Sequence, residues 1–339
     1  MNHEAHPLGW NRRHLLALAA ATAAAGPLGA RAQTAPTGFA TRPVRVVVPF
    51  AAGGATDVIA RILGERMAQR FGQSVVVDNK PGAAGLIAGE MVAKAPPDGM
   101  TALLGTTSSM LTNKYLYKKT PYDPLTELTP LVRVCLAPIA LVVTADTPAQ
   151  NLQDFMAWIR SQKGKLTYGS YGIGSHGQLA CTTLSEVAGA DMTHVAYKGE
   201  APMVQDLLGG QIKIGMGSLL SLKAHVDAGK LRALAVTGPR RVPLLPEVPT
   251  FTEAGYPQDA LSIVGWLAIA GPKAMPADVA RQWAQAANHA VASREGLARI
   301  IAAGFVPVDD DTPEKFARLW AQEAPVWGRL LQAAGVQPS

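Results

Sequence analysis

Cysteine is almost missing from this 339-residue chain, which has only Cys135 and Cys181. At most one bridge can form, so no disulfide framework holds the fold together; each cysteine sits in an apolar stretch, and whether they pair stays open. Runs of lysine and arginine interleaved with aromatic residues are also missing, although the net charge is +6. Such mild basicity suits an anionic ligand and excludes an extended nucleic-acid surface, so no nucleic acid is expected as a partner. The histidines beyond the N-terminal segment, His176, His194, His225 and His289, lack metal-ligand spacing, and neither a metal nor a cofactor is expected. Membrane-length apolar runs are missing too. Leu15 to Ala25 is shorter than the ~20 residues a spanning helix needs and is broken by Gly26-Pro27.

What is present at the start has the form of an export signal. Asn11-Arg12-Arg13-His14 precedes the apolar, alanine-rich run, and Ala30-Arg31-Ala32 is an A-x-A cleavage pattern that would leave Gln33 as the mature terminus. A periplasmic location is expected, through general secretion or, given the paired arginines, a twin-arginine signal. The mature part, about 300 residues, exceeds the size at which one core keeps growing, so two lobes are expected.

Strands and helices alternate. Arg45 to Val48 is a predicted strand, and Val58, Ile59, Ile62, Leu63 and Met67 mark one face of a helix that stops at Gly72. Strands Ser74 to Val77 and Thr101 to Leu104 flank a helix over 81–95. A long apolar stretch, Val132 to Thr144, is broken by Pro138, after which the cycle restarts with strands at Leu166 to Tyr168, Thr193 to Ala196, Ile212 to Met216 and Leu231 to Val236. Ser262 to Ala270 is extended again and reads as the chain crossing back, and the remainder is helical. The expectation is an α/β protein with two lobes, residues 33–135 plus 262–339 and residues 136–261, parallel sheets, and two crossing segments that act as a hinge.

Two glycine-rich loops carry the most information about function. Val48-Pro49-Phe50-Ala51-Ala52-Gly53-Gly54-Ala55-Thr56-Asp57 and Tyr168-Gly169-Ser170-Tyr171-Gly172-Ile173-Gly174-Ser175-His176-Gly177 each follow a strand and open a helix. A helix start leaves N–H groups without intrahelical partners, and glycine lets a bound group approach closely, so each loop is a potential anion seat. Together they suggest a cleft that grips a small acid from both sides. Asp57 suits a helix N-terminus electrostatically and could either stabilise that end or face the ligand. The Thr106-Thr107-Ser108-Ser109 hydroxyls follow a strand at the same sheet edge and are either cleft-lining or loop-capping. Ser175 is equally suited to cap its helix, and Ser175 with His176 cannot form a nucleophile and base pair, because adjacent residues at a helix start diverge.

Gly172-x-Gly174-x-x-Gly177 also matches a dinucleotide fingerprint, which keeps a nucleotide-dependent oxidoreductase as an alternative. Asp191 precedes the next strand instead of ending it, so the acidic residue such a site requires falls at the wrong end.

The string at 48–57 resembles the opening signature of the Bug receptors, the TctC-like periplasmic solute-binding proteins of tripartite tricarboxylate transporters. The likeness continues through Val77-Asp78-Asn79-Lys80-Pro81-Gly82-Ala83, Pro121-Tyr122-Asp123-Pro124, the Gly172 to His176 loop, Tyr197-Lys198-Gly199, and Asp206 to Gln211. It implies a two-lobed periplasmic binding fold of the Venus-flytrap type, a non-enzyme that closes on a small organic acid and passes it to membrane permease subunits. A sensor that signals its closed state has the same cleft and is the other reading; a monomer is expected. The resemblance implies ligand contacts from the loops matching Phe50 to Asp57 and Ser170 to His176. The candidate site is therefore Phe50, Ala51, Gly53, Gly54, Asp57, Thr107, Ser108, Ser170, Gly174, Ser175, His176, Tyr197 and Gly217. Met216-Gly217-Ser218 stands where relatives often carry an aspartate after a phenylalanine, and Tyr171 places a ring where a small residue is usual. Both departures favour a di- or tricarboxylate or an aromatic acid over an amino acid.

Overall fold

Alternate valines of the first strand face opposite ways, and this sets the layering of the first lobe. The computed structural model describes residues 39–338, so the export signal expected at residues 1–32 lies outside the described residues. Val46 and Val48 of β1 (Val44–Val48) pack on one side with Ile59, Leu63 and Met67 of α1 (Ala55–Phe71), whereas Val47 packs on the other. Gly72 ends α1 in the left-handed conformation, φ 66°. The chain continues through β2 (Val75–Asn79), a 3-10 turn at Ala83–Gly85, α2 (Leu86–Ala93) and β3 (Thr101–Thr106). A π-helical turn at Ser108–Thr112 leads into α3 (Asn113–Leu116), followed by α4 (Pro124–Glu127) and β4 (Leu128–Ala137).

Pro138 has no N–H to give to a ladder, and the sheet breaks there. β5 (Ile139–Thr144) begins a second sheet, joined by α5 (Leu152–Ser161), β6 (Thr167–Ser170), α6 (His176–Ala188), β7 (Thr193–Ala196), α7 (Glu200–Leu208), β8 (Ile214–Ser218), α8 (Leu219–Asp227) and β9 (Leu231–Val236). After α9 (Asp259–Ser262) the chain returns to the first sheet as β10 (Gly265–Pro272) and ends in α10 (Ala277–Ala292), α11 (Arg294–Ala302), β11 (Val306–Pro307) and α12 (Pro313–Ala333). The last helix starts at Thr312, whose side chain accepts from Lys315 N, with Pro313 in the first turn.

The first sheet has the order β11-β4-β10-β3-β1-β2 and the second β7-β6-β8-β5-β9. The sheets are mixed, which corrects the expectation of parallel ones: β10 is antiparallel to β3 and β4, and β5 to β8 and β9. Geometry explains both exceptions. Strands of the βαβ units point their C-terminal ends at the boundary between the lobes, so a strand arriving from the other lobe starts at that boundary and must run away from it. Helices cover both faces of each sheet. Leu141 and Val143 pack with α5 and α6, Ala140 and Val142 with α7 and α8. Cys135 and Cys181 are both buried and free.

Candidate functional site

Register fixes where the loops lie. β4 ends at Ala137 beside Gly265, where β10 begins, and β5 begins at Ile139 beside Ser218, where β8 ends. β1 and β3 run in the direction of β4, and β6 in that of β8. The loops after β1, β3, β6 and β8 therefore open on the boundary that the chain crosses twice, the side on which open α/β sheets bind ligands.

On the first lobe, residues 51–54 are exposed. Gly54 caps α1 with no side-chain hydrogen bond to the first turn, which leaves an exposed helix N-terminus with donors available to an anion. Gly53, at φ +83°, has nothing within 4 Å of where a Cβ would point. Its N–H donates to Asp57 Oδ2 at 2.9 Å, and Asp57 also takes Arg61 Nε at 3.0 Å and Nη2 at 2.9 Å. Burial raises the Asp57 carboxyl, but Arg61, the Gly53 N–H and Asn79 outweigh it and hold the group below its ordinary range. Asp57 thus orders the loop through Gly53 N and Arg61. Asn79 Nδ2 donates to Phe50 O at 3.0 Å, and Gly54 N reaches Ala51 O at 3.4 Å, so the loop is braced at both ends. Gly85, at φ +96°, lets Ser109 and Pro49 pack against it, drawing the turn before α2, the β1 loop and the β3 loop together.

The loop after β3 is tied to the start of β10 and to itself. Thr107 Oγ1 accepts from Trp266 N at 2.9 Å, tying the end of β3 to the start of β10. Ser109 Oγ accepts from Thr106 N at 3.0 Å. Ser108 is half-buried at the start of the π turn.

On the second lobe the loop is largely closed on itself. Gly174 N donates to Gln178 Oε1 at 2.7 Å, and Gln178 N to Ser175 Oγ at 3.3 Å, so Ser175 caps α6. Ser175 Oγ bonds Ser170 Oγ at 3.2 Å, and Ser170 Oγ lies 2.7 Å from His194 Nε2. The Ser170–His194 contact was not read from sequence; β6–β7 pairing, with Tyr168 opposite His194, creates it. It has nucleophile-and-base spacing, yet Ser170 is 0% exposed and its hydroxyl also donates to Gly172 O at 3.0 Å. Gly174, at φ +71°, abuts Leu116 of α3, so this loop meets the first lobe. Ile173, beside it, is 68% exposed.

Two other candidates have their polar atoms engaged. Tyr197 donates its hydroxyl to Asp206 Oδ2 at 2.7 Å, and burial with Asp206 pushes the phenol up to about 12. Gly217 lies within β8, and a Cβ there would sit 3.2 Å from Glu200 Oε1. An acidic group supplied by α7, Glu200, therefore stands beside Gly217. Glu200 accepts from Ser218 N at 2.6 Å, Ser218 Oγ at 2.5 Å and Ser221 Oγ, and so holds in place the serine whose side chain caps α8. Asp191 precedes β7 and pairs with Lys163 at 3.3 Å, away from the position a dinucleotide site requires. An apolar hollow of about 400 Å³, lined by residues including Trp320 and Pro325, contains no residue of either glycine loop.

His176 bridges the lobes. Its Nε2 donates to Ala260 O at 2.8 Å, and its ring stands edge-on to Trp327 of α12 at 5.2 Å. Burial lowers its pKa to about 4, partly opposed by the Ala260 carbonyl. The folded chain therefore keeps His176 neutral while the unfolded chain takes up a proton below about pH 6.5. Stability is full above that value and falls as pH drops toward 4, by about 2 kcal/mol between pH 7 and pH 5. Urea unfolding at those two pH values should show this loss, and His176→Phe should flatten the dependence by that amount; an unchanged slope would refute it.

Comparison with known proteins now places the chain. Residues 59–336 match the model of the tripartite tricarboxylate transporter family receptor, TctC. The chain belongs to this family. It is 35% identical over 294 residues to a UPF0065 protein of Pseudomonas sp. (strain P51), covering 86% of each chain. Among solved structures it resembles the periplasmic binding protein BugD, at 33% identity and TM-score 0.76, covering 88% of this chain and 100% of that one. An adipate-bound protein of R. palustris is 33% identical with TM-score 0.79, over 88% and 99% of the two chains. Malate-bound MatC from Rhodopseudomonas palustris is 28% identical with TM-score 0.74, over 86% and 99%. The fold of the chain is that of a two-lobed periplasmic binding protein. Among the described residues of this member, no helix is long and apolar enough to cross a membrane.

Proposed function

We propose that the protein is a periplasmic receptor that captures a small carboxylate, a di- or tricarboxylate or an aromatic acid, between its lobes and delivers it to membrane permease subunits of a tripartite transporter. The observation that carries this reading is the exposed N-terminus of α1, uncapped by any side chain and opening on the interlobe boundary opposite the loop after β6. The adipate and malate bound by the two relatives support the same chemistry.

Energetics explain why two lobes are needed. Each charge-assisted hydrogen bond to a carboxylate contributes roughly 1.5 to 3 kcal/mol, against an association cost of roughly 4 to 15 kcal/mol. One helix end with two or three donors is too weak by itself for micromolar binding, about −8 kcal/mol. Contacts from the second lobe, including its loop at Ser170 to His176 and the neighbourhood of Gly217, make up the difference, and closure follows because the ligand binds the closed form better.

Calorimetry on the mature protein, with organic acids and the amino acids that match them in skeleton, tests this. Micromolar binding of an acid is the expected result. Tighter binding of an amino acid than of its deaminated analogue would overturn the assignment, since Glu200 is already committed to Ser218 and Ser221.

A further inference from the structure

We infer that His194 is a positioning residue for the glycine loop of the second lobe: acting through Ser170, it holds the turn from Ser170 to Gln178 in the shape that meets Leu116 of the first lobe. The consequence for affinity rests on the proposed reading of the interlobe crevice as a carboxylate site.

His194 lies outside the loop it holds. It sits on β7, the edge strand of the second sheet, opposite Tyr168 of β6, and the two rings stack at 5.1 Å with 23° between their planes. Tyr168 is fixed in turn by a hydroxyl contact of 2.8 Å with Thr182 of α6. Side chains two residues apart on a strand share a face, so Ser170 projects from β6 on the side of the stacked rings, and its hydroxyl oxygen comes to 2.7 Å from His194 Nε2.

A count of protons and lone pairs assigns the direction of that bond. Ser170 Oγ accepts from Ser175 Oγ at 3.2 Å and from Gly172 N at 3.4 Å, which fills both lone pairs of a hydroxyl oxygen. Only its proton is left to give. Gly172 O, at 3.0 Å, already accepts from Ser175 N at 3.2 Å, and His194 Nε2 is the nearer acceptor. Nε2 therefore carries no proton, and the ring holds its proton on Nδ1. Burial lowers the pKa of His194, which favours this neutral form. The bonds then run in one sense, from Ser175 to Ser170 to His194. Gln178 N joins them at Ser175 Oγ, at 3.3 Å, and Gly174 N joins at Gln178 Oε1, at 2.7 Å. Ser170 and Ser175 are both buried. Without the imidazole acceptor the Ser170 proton has only Gly172 O, in competition with Ser175 N, the bond that closes the turn, and the loop loosens.

Nitrogen-15 NMR of the ligand-free mature protein at neutral pH should show His194 as the Nδ1–H tautomer. Two variants separate the acceptor from the ring: His194→Phe keeps a ring on Tyr168 but accepts nothing, whereas His194→Gln supplies an amide oxygen in place of Nε2. Amide exchange at Gly174 and Gln178 should speed up at least about tenfold in His194→Phe and stay at the wild-type rate in His194→Gln, with a thermal melt establishing that each variant is folded. With the tightest binder among adipate, malate, citrate and benzoate as the probe in calorimetry, His194→Phe should weaken binding at least about tenfold and His194→Gln should restore it. Added to Ser170→Ala, His194→Phe should cause no further loss, because the two residues act in series. An Nε2–H tautomer, unchanged exchange in folded His194→Phe, or additive losses would overturn the role of His194 and leave the carboxylate reading standing. Binding of none of the four acids to the wild type, with tautomer and exchange as expected, would overturn the carboxylate reading and leave the positioning of the loop standing.

Discussion

Replacing Gly53 or Gly174 by valine should weaken ligand binding at least about a hundredfold, 2.7 kcal/mol, while the protein stays folded. Gly53 has φ +83° and Gly174 φ +71°, a region in which a β-branched residue is a true outlier and costs roughly 1 to 3 kcal/mol. At Gly53 nothing lies within 4 Å of the new Cβ, so no clash spreads into the core. The backbone relieves its strain by leaving the left-handed region, which pulls the Gly53 N–H off Asp57 and reshapes the exposed turn before α1. Valine also projects bulk into the open space that a ligand must enter. At Gly174 the mechanism differs: the new side chain runs into Leu116 on the other lobe, so the loop after β6 is held away from α3 and closure is blocked. Melting temperature should fall by only a few degrees at about 2–4 °C per kcal/mol. Calorimetry beside a thermal melt separates the outcomes, and unaltered affinity in either folded variant counts against that loop.

The elements that position these glycines are legible in sequence because they obey local rules. Alternating valines in β1, the Gly72 stop of α1, the Pro138 break and the Thr312-Pro313 helix start each depend on neighbours a few residues apart. What stays hidden depends on pairing across the fold. That β5 and β10 run against their sheets follows from where the chain crosses between lobes, not from their composition. Ser170 with His194 needs the β6–β7 register, and Glu200 with Ser218 needs α7 folded back over the end of β8. The candidate loops can be found from glycine spacing, whereas the use of their donors cannot. Which N–H groups are already bonded by Asp57 or Gln178 is decided by side-chain directions that no spacing reveals.

Removing the carboxylate of Asp311 should be the most damaging single change to stability outside the crevice, about 3–5 kcal/mol. Its side chain is 0% exposed and that of its partner Arg133 22%. Asp311 Oδ2 accepts from both Arg133 N and Arg133 Nε at 2.9 Å, and the Asp311 carbonyl accepts from Asn288 Nδ2 at 2.7 Å. The main-chain bond explains the placement. β11 covers β4 only opposite Leu136 and Cys135, so the strand edge at Arg133 has no neighbouring strand to receive its N–H, and a side-chain carboxylate takes that place. The same group pins the segment leading into α12 against β4, the strand that carries the chain toward the other lobe. Asp311→Ala leaves the Arg133 N–H and a mostly buried guanidinium without acceptors, and removing one partner of a buried pair costs more than the pair itself contributes. Asp311→Asn keeps an oxygen for the N–H but loses the charge, and should cost about 1–3 kcal/mol. Guanidinium unfolding of both variants should give that order; a loss below about 1 kcal/mol for Asp311→Ala would show that water replaces the carboxylate at this edge.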